Sequence, residues 1–65
     1  MEITDEDRAE AERLALLPRE TQREAVRLIG LPAENPKVPA AYREEARRRA
    51  KALASLLGIE PPTMK

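Results

Sequence analysis

The sequence predicts an all-α fold, a small three-helix bundle with helices at about 4–16, 18–29 and 39–57. Three observations carry this. Apolar residues recur at three- and four-residue spacing in three separate stretches, the period of a helix packed on one side. Proline or glycine punctuates the chain between and after those stretches, at Pro18, Gly30, Pro32, Pro36, Pro39, Gly58, Pro61 and Pro62. Glu44 precedes Arg48 by four and Glu45 precedes Arg49 by four, the favourable orientation for ion pairs along a helix.

The first helix opens at Ile3-Thr4. Thr4 with Asp7 three residues later fits a capping box, and Asp5, Glu6 and Asp7 place negative charge where the helix dipole favours it. Its apolar face is thin, consisting of Ala11, Leu14 and Leu17 with Ile3 below. Asp7 and Glu10 share that face, so either this helix packs loosely at the domain edge or its acids meet basic groups across an interface. Leu17-Pro18 ends the helix, because the residue before proline is pushed out of the helical region and proline starts a new helix well. A kinked continuous helix is the alternative.

The second helix is expected from Pro18 to Ile29. With Ala25 at the centre of its apolar face, Thr21, Gln22, Leu28 and Ile29 lie within about 60° and Val26 sits at the margin. Arg19, Arg23 and Arg27 form a straight row on the outer face. Gly30 is placed to stop this helix in a left-handed conformation, with Pro32 blocking extension. Residues 31–38, LPAENPKV, then read as an extended, stiff loop with Leu31 and Val38 as its feet in the core.

The third helix is the anchor. Pro39 suits its first turn. With Tyr42 at zero, Ala46, Ala50, Leu53, Leu56 and Leu57 fall within about 80°. Gly58 suits a left-handed stop, Ile59 can fold back on the last turn, and Pro61 prevents continuation. Residues 59–65 read as a frayed tail on a chain whose residues 1–65 form one small helical domain. Arg49 breaks the pattern, since it falls in the middle of the apolar stripe. Either its stem snorkels along the core edge or its guanidinium meets a carboxylate such as Asp7 or Glu10.

Composition narrows the function. The chain has no Cys and no His, which removes disulfides, structural zinc and the commonest catalytic bases. Its hydroxyls are Thr4, Thr21, Tyr42, Ser55 and Thr63, and Lys51 stands on a solvated face. Three short helices enclose no substrate-sized pocket. The expectation is therefore no enzyme, no cofactor and no metal. Asp5 and Asp7 alternate as calcium ligands do, but no glycine or distal glutamate completes the loop. With no signal or membrane span visible, the expected location is cytoplasmic. Arg over Lys, with much Ala and Pro, suggests a small bacterial or phage reading frame. The proline-laden loop and Arg49 on the core stripe count against an idealised design.

Net charge is zero but unevenly spread. Residues 1–17 hold six acids against two arginines, a net of −4, and residues 39–58 hold five bases against two acids, a net of +3. Internal complementarity between the first and last helices is the simplest consequence. The segment AVRLIGLP resembles the turn of a helix-turn-helix motif, but Pro36 and Pro39 forbid a recognition helix directly after it. The basic side of the last helix leaves another route to nucleic acid, through Arg43, Arg47, Arg48 and Lys51. Against it stand Glu44 among the bases and the lack of an aromatic platform. Membrane binding by this helix is not expected, for it has no Trp or Phe.

The first reading is a small non-enzymatic protein-binding module, an adaptor, inhibitor or regulator of a larger macromolecule, with a structural piece of an assembly as a close relation. The alternative is a nucleic-acid-binding regulator using the basic face of helix 39–57. Candidate partner-binding residues are Arg19, Arg23, Arg27, Tyr42, Arg43, Arg47, Arg49 and Lys51. A chain this short with few large apolar residues also points to a homodimer, with Tyr42, Leu53, Leu56 and Leu57 contributing.

Overall fold

A computed structural model describes residues 3–59. Its elements are α1 (Asp5–Leu14), α2 (Arg19–Gly30), a 3₁₀ turn (Leu31–Glu34) and α3 (Ala40–Leu57), with no strand among the described residues. The radius of gyration, 11.2 Å, is close to the ~10.7 Å of a folded chain of this length. The all-α three-helix bundle is thus the architecture observed.

The helix starts follow from side-chain and proline chemistry. Thr4 caps α1 by accepting from the Asp7 N–H at 3.2 Å, while Asp7 Oδ2 accepts from the Thr4 N–H at 3.1 Å. This is the reciprocal box expected from the sequence, and Asp reaches far enough to close it. Pro18 and Pro39 each stand one position earlier than expected. Their ψ values of 153° and 146° are extended, so they precede α2 and α3 as caps and do not form the first helical turn. Each still supplies the first carbonyl, accepting from Gln22 N–H and Arg43 N–H at 3.0 Å. α1 ends at Leu14, short of the expected residue 16, and a tight turn at Ala15–Leu17 separates it from α2. The continuous kinked helix is excluded.

Two expectations about the middle of the chain are corrected. Gly30 does not stop α2 in a left-handed conformation; its φ of −81° is right-handed and the chain runs on into the 3₁₀ turn. Pro32 permits this because it lies in the first turn of the new segment, where no N–H is required. Residues 31–38 are accordingly compact and not extended. Asn35 closes them locally, its Oδ1 accepting from Lys37 N–H at 3.0 Å and its carbonyl from Val38 N–H at 3.1 Å. The residue this segment buries is Ala33; Leu31 is exposed and Val38 half-buried, so neither is a foot in the core.

α3 is the central element, touching α1, α2 and the 3₁₀ turn, whereas α1 and α2 barely meet. Its buried residues are Ala46, Ala50, Ala52, Leu53 and Ala54. Three consecutive buried positions mean that the C-terminal half of α3 is covered around much of its girth. Leu53, at 0% exposure, packs with Ala11, Leu14, Val26, Ala50 and Ala54 as the core cluster. The α2 face is rotated by about one residue (100°) from expectation, for Val26 is its centre, Thr21 and Leu28 are exposed, and Gln22 and Gly30 are buried. Tyr42 is not on the core stripe; it is 68% exposed.

The end of α3 is as expected. Gly58 adopts φ +69°, and Ile59 N–H reaches back to Ala54 O at 3.0 Å while its side chain packs on the core cluster. Ile59 thus folds back on the last turn as expected, and the stretch beyond it, expected to fray, lies outside the described residues. Among the described residues no helix is long and apolar enough to cross a membrane.

Candidate functional site

The face where α3 meets α1 is organised by one carboxylate. Asp7 sits at the third position of α1, the inward side of its first turn, and its side chain is 1% exposed. Oδ2 accepts from Arg48 Nη1 at 2.7 Å as well as from the Thr4 N–H. Oδ1 has no hydrogen-bond partner and lies 3.9 Å from Arg49 Nε, itself buried and unbonded. Burial alone would push the Asp7 carboxyl up. The bond from Arg48, the two bonds shared with Thr4 and the Arg48 charge outweigh it and hold the group below the ordinary Asp range. The same contact, with a second from Glu45, raises the Arg48 guanidinium above its ordinary value.

Asp7 is one of the two acids expected opposite Arg49, and it lies within ion-pair distance. The dominant partner is nevertheless Arg48, which sequence reasoning places on the solvated basic side. Arg48 also holds Glu45, with Nε to Oε1 at 2.7 Å, so the observed pair along α3 is three residues apart, not the expected four. Glu10, the other candidate, pairs with Arg13 at 2.9 Å on its own helix. The complementarity between acidic first helix and basic last helix is thus concentrated in Asp7.

A second polar junction joins the far end of the molecule. Gln22, buried on α2, donates from Nε2 to Leu17 O at 2.9 Å and Ala15 O at 3.5 Å, satisfying carbonyls left open where α1 ends. Arg19 donates to Gln22 Oε1 at 3.3 Å and to Leu57 O at 2.7 Å, near the end of α3. Arg19 is therefore engaged within the chain. Gln22 was legible on the inner face of the second helix, but its partners were not.

The remaining candidates divide by surroundings. Arg27 is ion-paired with Glu24 on the outer face of α2, and Arg23 is exposed. Arg43, Arg47 and Lys51 stand one turn apart on α3, and none makes an ion pair among the described residues. Arg47 and Lys51 are exposed; Arg43 is half-buried, with its Nε shielded and unbonded. The α2 row and the α3 row are not brought together into one site by any observed contact.

Arg49 stands between two depressions. On one side Thr4, Asp5, Glu6, Glu45, Arg48 and Arg49 line an open, mixed-charge hollow over the Asp7 junction. On the other, Ile29, Pro32, Tyr42, Glu45, Ala46 and Arg49 line a groove of about 230 Å³. That is below the ~300 Å³ at which small-molecule sites begin, and suits a side chain. Among the described residues no group of three or more acids converges as a metal would require. No protein-family model, no curated protein and no solved structure matches the chain.

Proposed function

We propose that the protein is a small non-enzymatic protein-binding module that works as a homodimer and engages a larger macromolecule through the outer side of α3. The observation that carries this reading is the row Arg43, Arg47 and Lys51, three cations one turn apart with no carboxylate partner among the described residues, beside a 68% exposed Tyr42. Several other arginines are engaged within the chain: Arg48 with Asp7 and Glu45, Arg27 with Glu24, Arg19 with Leu57 O. A row of cations without a carboxylate partner among the described residues suits an acidic protein surface, where arginine anchors carry much of the binding energy.

The test compares full-length wild type with R47E/K51E as bait in cells of the source organism. A stoichiometric partner recovered by the first and lost with the second, at unchanged helical circular dichroism, supports the reading. A partner retained equally by both overturns the role of the row. Nucleic acid is the second reading, favoured by the same unpaired cations. It predicts fluorescence-anisotropy binding to a DNA duplex with a log–log salt slope near −3, about −0.9 for each of three phosphate contacts. Absence of binding at low salt disposes of it.

A further inference from the structure

The groove beside Tyr42 has a composition that matches itself. Tyr42, Glu45, Ala46 and Arg49 recur at spacings of three, one and three residues, which places them on one side of the N-terminal half of α3. All four line the groove, with Ile29 and Pro32 as its opposite wall. The stripe therefore holds one acid, one base, one amphipathic ring and one small residue. A partner of single charge sign would satisfy only half of it. An antiparallel copy of the same stripe satisfies all of it, because a two-fold axis through its centre brings each end against the other end of the mate.

We propose that this groove is the contact between two copies of the chain, with the two α3 helices lying antiparallel across it. This rests on the homodimer reading given above and assigns it a surface. Ala46, buried in its own protomer, gives the groove a small apolar lining that leaves room for a side chain of the mate. Tyr42 of each copy enters the mate's groove, against Ile29 and Pro32 and over the face of Arg49, a cation–π arrangement. Glu45 of each copy comes within reach of the mate's Arg49. Arg49 is available for this: its side chain is 38% exposed, and its link to Asp7 is a 3.9 Å approach and not a hydrogen bond. Glu45 is 55% exposed and keeps Arg48 on Oε1.

The need for such a contact is visible in the core. Among the described residues, six of the nine buried apolar residues are alanines, while Leu16, Leu17, Leu28, Leu31, Tyr42 and Leu56 are exposed. A standard interface covers about 800 Å² per protomer, a sixth of the 4761 Å² surface of this chain. That area is more than the groove alone offers, so the contact extends onto the exposed surface around it. Leu53 has no part in the contact, being fully covered inside its own protomer.

Sedimentation velocity across 5 μM to 1 mM tests this with the full chain. The wild type should dimerise, and Y42S, which alters only an exposed ring, should raise the dissociation constant at least tenfold at unchanged helicity. E45K and R49E should each be monomeric alone, since each sets like charges against one another across the axis. Mixed one to one, they should form a heterodimer. The lysine introduced in one chain then meets the glutamate introduced in the other, and the Arg49 kept by the first meets the Glu45 kept by the second. A wild type that stays monomeric to 1 mM overturns the dimer reading itself. A wild-type dimer indifferent to Y42S and E45K leaves that reading standing and overturns the groove as its interface.

Discussion

Asp7 concentrates more of the fold's polar chemistry than any other side chain described. It closes the cap of α1, holds Arg48 of α3 and approaches Arg49, all from a buried position. Replacing it with Ala leaves a partly buried guanidinium and the Thr4 N–H without their acceptor. Urea denaturation of D7A should show a loss of about 2–3 kcal/mol, less than for a fully buried pair because Arg48 keeps 26% exposure and Glu45. D7N keeps the shape and an acceptor, and should cost about half as much. The sign of the pH dependence follows from the depressed carboxyl. Its unfolded value is near 3.8, so as pH falls the unfolded chain takes up this proton first and stability is lost from about pH 4 down through the lower folded value. Urea midpoints should therefore drop between pH 4 and pH 2.5 more steeply in the wild type than in D7N. Equal slopes would mean that other acids govern the acid limb.

The elements show where the sequence was legible and where it was not. Caps and stops are local chemistry, and they were readable: the Thr4–Asp7 box and the Gly58–Ile59 reversal occur as expected. Proline was harder, since a fixed φ suits both the cap and the first helical turn, and ψ decides between them. Gly30 misled because right-handed glycine leaves no mark in a sequence. The apolar face of α2 was misjudged by one residue, for Thr21 and Leu28 are apolar enough to draw the centre away from Val26 when nothing shows which side α3 occupies. The partner of Asp7 could not be read either. Arg48 and Arg49 are equivalent in type, and only the rotation of α3 selects Arg48. At Gly58 the space a Cβ would take is empty, with nothing within 4 Å, so G58A isolates the conformational cost of φ +69°. That cost is about 1 kcal/mol. The thermal midpoint of G58A should fall by roughly 4–8 °C, and G58N, which tolerates the left-handed region better, should fall by less.

At the scale of the whole molecule, alanine sets the character of the fold. Ala11, Ala46, Ala50, Ala52 and Ala54 let α1, α2 and the 3₁₀ turn sit close against α3, but each contributes little burial. Large buried apolar side chains reduce to Leu14, Val26 and Leu53 among the described residues. A chain of this size commonly has about 3–5 kcal/mol in total, so each of the three carries a large share. Leu53 is the most exposed to this logic because it touches the cluster from the central helix and is wholly covered. Truncation to Ala typically costs about 3–5 kcal/mol once the cavity is counted. L53A at 10 μM and 25 °C should lose most of its helical circular dichroism. Its recovery then separates two sources of stability. If folding is coupled to pairing of two copies, mass action favours the folded dimer as concentration rises, and L53A should regain helicity between 10 μM and 1 mM. The L53A/Y42S double variant should stay unfolded over the same range, because it lacks both the core anchor and the ring that enters the mate. An L53A chain whose helicity is the same at every concentration would show that the monomer's own core holds the fold.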